Sequence, residues 1–350
     1  MGSRKQPLGV LFWKADEEFG RTVVKVLTEL GYPVRHATDP RNLDLPSLGL
    51  LLVYGPWGSL EPAVRLNQSI PANKRCRLVL WQSEQFPNPH VPTFMWKSIG
   101  GLRSHIESVA FVPGQGGDLV LRRGGAFVTG KLHRYRYYGD ALRYFNHDRS
   151  NVLAVWSTWI AQLLKRRGLD AMFAPMGYHP DFGTDLGLKR DIPVLWLGKT
   201  GSGRRGRLLA RIRSELAVRG IELMVIDGVE NPYVFGAQRT RLLNRTKVVL
   251  NLLRQEWDNT SMRFFLSAGN RATVVGEPMY PHIPFQPGVH CVEAPISQLA
   301  ETIHYYVQHD AERMAIADRA HDLVVNRLTM ARSLQSILNV AQARKPNREN

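Results

Sequence analysis

One short segment, GKTGSGRR at residues 198–205, combines glycines with basic side chains. It follows an apolar run, PVLWLG, which predicts a strand, and it leads into a helical pattern that begins near Arg205. Backbone N–H groups at the start of a helix face outward, and together with the helix dipole they favour a bound anion. Lys199, Arg204 and Arg205 add positive charge within the same few residues. The segment therefore predicts a phosphate-binding loop, and the alternative is a glycine-rich surface turn with solvated arginines.

This loop comes close to a P-loop, because Gly198 and Gly203 have the spacing of its two glycines. However, Arg204 and Arg205 stand where a P-loop carries Lys and Ser or Thr. The hydroxyl that would bind magnesium is therefore missing. This departure argues against a P-loop ATPase. No Asp-x-Asp metal motif is present either.

In the first half of the chain, Glu84 follows the apolar run CRLVLWQ, which predicts a buried strand. Doubly wound proteins place functional side chains just after such strands. A carboxylate there is suited to accept a proton, so Glu84 is our candidate general base. The alternative is that Glu84 only caps the turn that follows the strand.

A third feature is the basic and aromatic stretch at residues 122–149. Its arginines and tyrosines alternate in RYRYYGDALRYF, the kind of mixture that nucleic-acid grooves and membrane interfaces use. The chain also carries 46 Lys and Arg against 30 Asp and Glu, a net charge of +16. Both observations favour an anionic partner such as nucleic acid, a phosphate-bearing polymer or lipid, or an acidic membrane surface. The alternative for the stretch is an ordinary solvated loop and helix of a basic protein.

Composition limits the classes of protein that remain. Two cysteines, Cys76 and Cys291, are too few for a disulfide framework or a cysteine-rich zinc site. No apolar run reaches the ~18 residues of a membrane span. We expect a reduced, cytoplasmic setting, with a peripheral position at a membrane surface as the alternative.

The elements that must position these residues alternate between strand and helix. Apolar runs at 8–13, 48–55 and 76–82 predict buried strands, SVAFVPG at 108–114 is a further candidate, and the alternation restarts at residue 193. This pattern predicts an α/β protein with two doubly wound, Rossmann-like domains facing a cleft. We place the domains at 1–176 and 177–329, followed by a helix and a polar tail at 330–350 that crosses back to the first domain.

The second half also carries a family pattern. Its residues, in order along the chain, are Arg263, Phe264, Phe265, Gly269, Gly288, Val289 and His290, followed by the helical run ERMAIADRAHDLVVNRLT. In this order they resemble the nucleotide-sugar-binding half of GT-B glycosyltransferases, close to the spore-maturation-type and group 1 families. The resemblance covers about residues 151–335, and the first 150 residues fit it only in outline.

The resemblance implies a nucleotide-diphosphate sugar bound by the second half and an acceptor bound by the first. Arg205 and Arg263 would stabilise the departing diphosphate, and Glu84 would serve the acceptor. The donor would contact Gly198, Lys199, Thr200, Arg204, Asp258, Phe264 and Gly269. Enzymes of this kind generally need no metal, so we expect no cofactor beyond the nucleotide sugar.

The sequence departs from the family at one position. Many retaining members carry two glutamates eight positions apart, and these positions fall here on Asp258 and Leu266. A leucine cannot accept hydrogen bonds from the ribose hydroxyls of a donor. Two hypotheses follow: a glycosyltransferase, or a non-catalytic protein of the same fold that binds nucleic acid or a protein partner through a basic surface.

Overall fold

The computed structural model describes residues 5–12, 17–55, 60–109, 126–200, 203–258, 261–279 and 284–344; at 107–109, 126–133, 146–147 and 261 it describes the backbone alone. The chain forms two compact units. The first comprises Met1–Ala174 together with Ser333–Asn350, and the second comprises Pro175–Arg332.

The first unit is built on a parallel sheet of six strands. The strands are β1 (Leu8–Leu11), β2 (Val34–Ala37), β3 (Leu50–Tyr54), β4 (Arg77–Gln82), β5 (Val152–Val155) and β6 (Ala171–Phe173). They lie in the order β2-β1-β3-β4-β5-β6, and every pair is parallel. The helices are α1 (Glu18–Glu29), α2 (Leu60–Gln68), α3 (Thr93–Val109), α4 (Ala126–His147) and α5 (Thr158–Arg166).

The second unit repeats this design with five strands. They are β7 (Ile192–Leu197), β8 (Leu223–Ile226), β9 (Thr246–Asn251), β10 (Thr273–Gly276) and β11 (Val292–Glu293), again all parallel, in the order β11-β10-β9-β7-β8. The helices are α6 (Gly203–Ala217), α7 (Gly236–Arg245), α8 (Ser261–Gly269), α9 (Leu299–Gln308) and α10 (Asp310–Asp322), which continues into a π-helical turn, Leu323–Arg327. Two parallel sheets flanked by helices confirm the predicted α/β class.

Burial on both faces explains why the central strands are wholly apolar. All five residues of β3 and all four of β5 are buried. A strand covered by helices on both faces has no polar side to present, so its sequence does not alternate. The same holds for β10, all of whose residues are buried.

Strand order creates one topological switch point in each sheet. In the first sheet, β1 has β2 on one side and β3 on the other; in the second sheet, β7 lies in the same way between β8 and β9. The connection from β1 to β2 therefore runs toward one edge of its sheet, and the connection from β2 to β3 runs back past β1 toward the other edge. The connections from β7 to β8 and from β8 to β9 do the same in the second sheet. Open α/β sheets bind ligands at the carboxyl ends of the strands that flank such a point. We call the carboxyl ends of β1 and β3 the first switch point, and those of β7 and β9 the second.

The last helix, α11 (Met330–Ala343), starts in the second unit and continues into the first from Ser333 onward. Its apolar face is buried, with Leu334, Ile337 and Leu338 each 3% exposed or less. Arg77 of β4 donates a hydrogen bond to the carbonyl of Ala341. The helix is thus an integral part of the first unit.

The described part of the basic and aromatic stretch is a helix that packs against the core, which corrects the interpretation of its buried tyrosines as a stacking surface. Tyr135, Tyr138 and Tyr144 of α4 are all buried, and Tyr144 donates to the carbonyl of Leu78 at 2.5 Å. Arg136 is buried too, in an ion pair with Asp140. Side chains packed in this way cannot stack on nucleic-acid bases. Arg122, Arg123 and the side chain of Lys131 lie outside the described residues.

The helix α3 replaces part of a predicted strand. Ser108 and Val109 belong to its last turn, and residues 110–114 of the predicted strand lie outside the described residues. The helix packs closely on α4, because a Cβ at Gly139 would come within 2.0 Å of the Gly100 carbonyl oxygen. Gly100 and Gly139 thus form the contact between the two helices. The helices α2 and α7 were not predicted either.

Candidate functional site

The second switch point begins at Gly198, which directly follows β7. Its φ of 132° lies where side chains other than glycine are strained, and its N–H donates to the carbonyl of Ile226 at 2.9 Å. The chain can therefore turn away from the sheet at once. Lys199 is exposed, and α6 begins at Gly203. The predicted order of strand, glycine turn, basic residues and helix start is present in the structure.

Arg205 lies in the first turn of α6 and is buried. Its guanidinium donates from Nε to the carbonyl of Leu252 at 3.1 Å and from Nη1 to the carbonyl of Lys199 at 3.0 Å. Leu252 follows β9 and Lys199 follows β7. The side chain of Arg205 therefore joins the two strand ends that form the second switch point.

Arg263 is on α8 and joins the same two strand ends. Its Nη2 donates to the carbonyl of Leu197 at 3.1 Å, and its Nη1 donates to Oδ1 of Asn251 at 2.6 Å. Burial lowers the pKa of Arg263 to about 9, and the positive charge of Arg205 contributes to this lowering. Two buried cations face each other here, an arrangement that favours an anion between or beside them.

A tryptophan holds the two arginines in place. Trp196 of β7 is fully buried, and the guanidinium carbons of Arg263 and Arg205 lie 4.4 Å and 5.3 Å from the centroid of its ring. The indole N–H donates to the carbonyl of Gly198 at 2.8 Å. Stacking on an aromatic face is favourable for guanidinium groups, so Trp196 offsets part of the cost of burying them.

Arg204 forms the most complete ion pair of the site. Its Nη1 and Nη2 donate to the two carboxylate oxygens of Glu277 at 3.0 and 2.5 Å, and Nη1 also donates to the carbonyl of Leu253 at 3.0 Å. Glu277 follows β10, is 4% exposed, and accepts a further bond from the N–H of Leu253 at 2.6 Å. The sequence analysis missed Glu277, although it is a carboxylate directly after a buried strand, the same signal that singled out Glu84.

Thr200 points toward the neighbouring strand β8. Its hydroxyl donates to Oδ2 of Asp227, the residue after β8, at 2.7 Å. This bond and the N–H groups of Glu230 and Val229 lower the pKa of Asp227, so the carboxylate is firmly ionised. Asp227 was also missed from the sequence, because nothing in the chain shows that β8 lies beside β7.

Not all predicted donor contacts gather at this point. Asp258 is 1% exposed, and its carboxylate lies 3.5 Å from Nε of Arg254. Phe264 is buried against the ring of Phe285, with centroids 5.0 Å apart. Gly269 ends α8, where a Cβ would lie 2.5 Å from the ring of Tyr178. The side chain of Phe264 and the backbone of Gly269 thus take part in core packing. Six residues separate Gly269 from Arg263, which is about 9 Å along a helix.

Leu266, the position at which the resemblance places a ribose-binding glutamate, is buried at 8% exposure. An apolar side chain within the core stands at this position.

Glu84 lies in the first unit, after β4, and is half-buried. Its backbone carbonyl accepts a bond from Nε2 of Gln82 at 3.3 Å. Its negative charge contributes, after burial and the charge of Glu17, to raising the pKa of the buried phenol of Tyr54. The negative charges of Glu17 and Glu84 thus both act on the phenol of Tyr54.

Two further features concern the described part of the chain. No group of three or more histidine, cysteine or acidic side chains is arranged there to hold a metal ion. Among the same residues, no helix combines the length and the apolarity that crossing a bilayer requires.

Residues 204–339 match a sequence family described as glycosyl transferase-like. No curated protein matches the chain by sequence. Among solved structures, the fold is similar to that of HepE from Anabaena, crystallised with UDP and glucose, at a TM-score of 0.61 and 10% identity; the match covers 97% of this chain and 100% of HepE.

Two other structures have the same fold. AviGT4, a glycosyltransferase involved in avilamycin A biosynthesis, matches with a TM-score of 0.55 and 10% identity over 97% of this chain and 98% of its own. TarM of S. aureus matches with a TM-score of 0.55 and 9% identity over 84% of this chain, which spans 55% of the length of TarM. These matches confirm the GT-B fold that the resemblance implied.

Proposed function

We propose that this chain, with its glycosyl transferase-like sequence over residues 204–339 and its GT-B fold, transfers a sugar from a nucleotide-diphosphate donor to a hydroxyl acceptor. The observation that carries this proposal is the second switch point. There Arg205 and Arg263 join the ends of β7 and β9 beside a glycine turn and a helix start. A diphosphate is the ligand that such a constellation suits best.

The electrostatics of the two arginines support this ligand. Burial takes both guanidinium groups out of water, and each raises the cost of the other's charge. A diphosphate bound beside them supplies the opposite charge and offsets that cost. Its negative charge grows when the bond to the sugar breaks, so fixed cations there stabilise the transition state more than the ground state.

The reaction also needs a place for one proton. In an inverting course, the acceptor oxygen forms a bond to the anomeric carbon while the bond between that carbon and the diphosphate breaks. We propose that Glu84 takes the proton that the acceptor hydroxyl loses. Lys199, Arg205 and Arg263 together would replace the divalent metal that other glycosyltransferases use, so we expect activity to survive EDTA.

The structures of HepE hold UDP and UDP-glucose, and on this likeness we take UDP as the first nucleotide to test. Titration calorimetry of UDP, UDP-glucose and GDP, with and without EDTA, gives their affinities. Arg263→Ala should weaken binding of the preferred nucleotide by about 1.5–3 kcal/mol, the contribution of a hydrogen bond to a charged group. Arg207→Ala is the matched control, because Arg207 is an exposed arginine on the same helix, α6, as Arg205.

A second variant guards against misfolding. Lys199 is exposed, so Lys199→Ala should leave the fold intact and still weaken nucleotide binding. If Lys199→Ala and a folded Arg263→Lys both bind every nucleotide as tightly as the parent does, the second switch point is not the donor site.

One observation favours the non-catalytic alternative. Leu266 offers no hydrogen-bond acceptor to a ribose, and most of the donors of Arg205 and Arg263 are already engaged by the protein. A non-catalytic protein that binds nucleic acid or a protein partner through a basic surface would release no UDP from UDP-glucose. Detection of UDP release over time by a coupled assay distinguishes the two functions.

A polyanionic acceptor stays a prediction that rests on the net charge. Tyr135, Tyr138 and Tyr144 no longer support it, because they are buried. If nucleic acid or heparin does bind, its affinity should fall steeply with salt.

A further inference from the structure

The helix α3 carries an apolar surface that the proposed transfer reaction does not use. Four of its side chains are exposed: Phe94 at 67%, Met95 at 38%, Leu102 at 60% and Ile106 at 38%. In the described part of the first unit, no other large apolar side chain is exposed. Single apolar residues scattered over a surface need no explanation, but four on one helix form a patch. We call these four residues the α3 patch.

Packing in the core does not account for the α3 patch. Met95, Leu102 and Ile106 are separated by seven and four residues, so they share one face of the helix. Another face of α3 packs inward, where Trp96 is fully buried and meets the ring of Tyr138 of α4 edge-on, with centroids 5.2 Å apart. The helix therefore has one apolar face that the core covers and a second that it leaves in solvent.

The charge on α3 beside the patch is positive. Lys97 is exposed and stands three residues after Phe94. From residue 93 to residue 106 the sequence contains no Asp or Glu. The first acid on the helix is Glu107, in its last turns, whose side chain lies outside the described residues. Exposed apolar side chains next to a cation, without acids among them, are typical of helices that lie on anionic membrane surfaces.

The neighbouring helix α5 adds two more cations. Its last turn contains Lys165 and Arg166, both exposed. Arg167 follows directly, and its Nη2 donates to the carbonyls of Pro89 at 2.6 Å and Val91 at 2.9 Å, just before α3 begins. The last turn of α5 is thus within the reach of one arginine side chain of the start of α3. A cluster of cations of this kind attracts anionic headgroups.

Area and charge indicate what covers the α3 patch. Its four side chains expose a few hundred Å², well below the ~800 Å² that each partner buries in a stable protein interface. A second copy of the chain, packed face to face, would also place the same cations opposite one another, which is unfavourable. A bilayer needs no matching surface, since a few apolar side chains enter the boundary between headgroups and acyl chains.

We propose that α3 is a docking surface for an anionic phospholipid bilayer. The α3 patch enters the boundary below the headgroups, and Lys97, Lys165 and Arg166 contact the anionic headgroups. The helix lies along the surface of the bilayer and does not cross it. None of these residues belongs to either switch point, so the docking does not depend on the proposed function.

The test is flotation of the full chain with extruded lipid vesicles. One set contains phosphatidylcholine alone, and in the other about a third of the lipid is phosphatidylglycerol, which supplies the negative surface. The chain should bind the anionic vesicles at least about ten-fold more tightly than the neutral ones, and added salt should weaken that binding. Size-exclusion chromatography with light scattering and thermal unfolding are measured on the same samples.

Two variants locate the binding. Phe94→Ser should weaken binding to anionic vesicles about ten-fold, because it removes a large apolar side chain from the bilayer. Its control is Val218→Ser in the second unit, at a valine that is 88% exposed, and it should change binding less than about two-fold. Lys97→Gln should weaken binding about three- to five-fold, and on anionic vesicles alone. Lys74→Gln, at an exposed lysine between α2 and β4, is the control for this change of charge.

The outcomes decide between the bilayer and other occupants of the α3 patch. Binding to anionic vesicles that Phe94→Ser and Lys97→Gln weaken, while their controls do not, supports the proposal. A dimer that Phe94→Ser dissociates, together with no binding to vesicles, assigns the patch to a second copy and overturns it. A fall in Tm for Phe94→Ser as large as for a core substitution shows that the chain covers the patch itself, which also overturns it. Equal binding by the parent and both variants has the same consequence.

Discussion

The ion pair between Arg204 and Glu277 offers the sharpest test of how the second switch point is held together. Glu277 comes from the end of β10 and Arg204 from the first turn of α6, so the pair ties a strand end to the helix that follows the glycine turn. Glu277→Gln keeps the size of the side chain. It removes the charge, and it replaces one acceptor oxygen with an amide that faces an arginine donor.

The size of the effect follows from burial. Glu277 accepts two hydrogen bonds from Arg204 and one from the N–H of Leu253, and its side chain is 5% exposed. Arg204 is a quarter exposed, so water screens part of the loss. We therefore expect Glu277→Gln to lower the free energy of unfolding by about 1.5–3 kcal/mol, the range for hydrogen bonds to charged groups. The larger penalty of a fully buried ion pair does not apply. For a unit of this size, each kcal/mol lowers Tm by about 2–4 °C.

The control is Glu230→Gln in the same unit. Glu230 also forms a two-bond pair with an arginine, Arg213, at 2.7 and 2.9 Å, but both side chains are at least 40% exposed. Loss of this ion pair should lower the free energy of unfolding by less than about 1 kcal/mol. Urea unfolding followed by circular dichroism measures both variants. Equal destabilisation by the two substitutions would refute the view that burial makes the Arg204 pair a structural tie.

Three further substitutions test single contacts. Gly198→Ala should lower the free energy of unfolding in urea by about 1–3 kcal/mol and weaken nucleotide binding, because a φ of 132° is strained for alanine. Its control is Gly203→Ala, whose new Cβ meets open space, and this substitution should leave the stability unchanged or raise it. Ending the chain at Thr329 should lower Tm and solubility, since it exposes the first unit's core where α11 packed; an equally stable truncated protein would contradict this. Tyr144→Phe should cost about 1–3 kcal/mol by stranding a buried carbonyl, whereas Tyr305→Phe, at an exposed hydroxyl, should leave the unfolding curve unchanged.

The sequence predicts those parts of the fold that depend on neighbours along the chain. Strands such as β3 and β7 are short apolar runs bounded by glycine or polar residues, and both are present. The turn at Gly198 and the helix after it follow the same local logic. The glycine turn, its cations and the helix start at residues 198–205 could be predicted because they all lie within eight residues.

The partners of these residues could not be predicted in the same way. Glu277 pairs with Arg204 across 73 positions of the chain, and Asp227 accepts from Thr200 across 27. Both contacts depend on which strands lie side by side. Local sequence patterns do not determine the order of parallel strands in a sheet. In each case the available signal was an acidic residue directly after a buried strand, which marks a candidate but not its partner.

The interpretation of the tyrosines of α4 was wrong for a different reason. Tyr135 and Tyr138 are three residues apart and share a helix face, whereas Tyr144 lies nine residues after Tyr135, about 180° around the helix axis. Burial on opposite sides indicates a core helix rather than a helix with one stacking surface. The arginines between them drew the interpretation toward nucleic acid, but Arg136 is itself buried in an ion pair with Asp140.

The distribution of charge between the two switch points bears on what the chain binds. The second carries Lys199, Arg205 and the buried Arg263, whereas the first carries Glu17 and Glu84. A diphosphate matches the second, and the carboxylates of the first do not favour an anion, so neither place needs a polyanion. Several other arginines of the second unit are engaged in exposed ion pairs, for example with Glu230 and Asp191. The net charge of +16 is therefore compatible with a donor that is anionic and an acceptor that is not. Acceptor binding that is insensitive to salt, beside nucleotide binding that weakens with salt, is the pattern that this arrangement predicts.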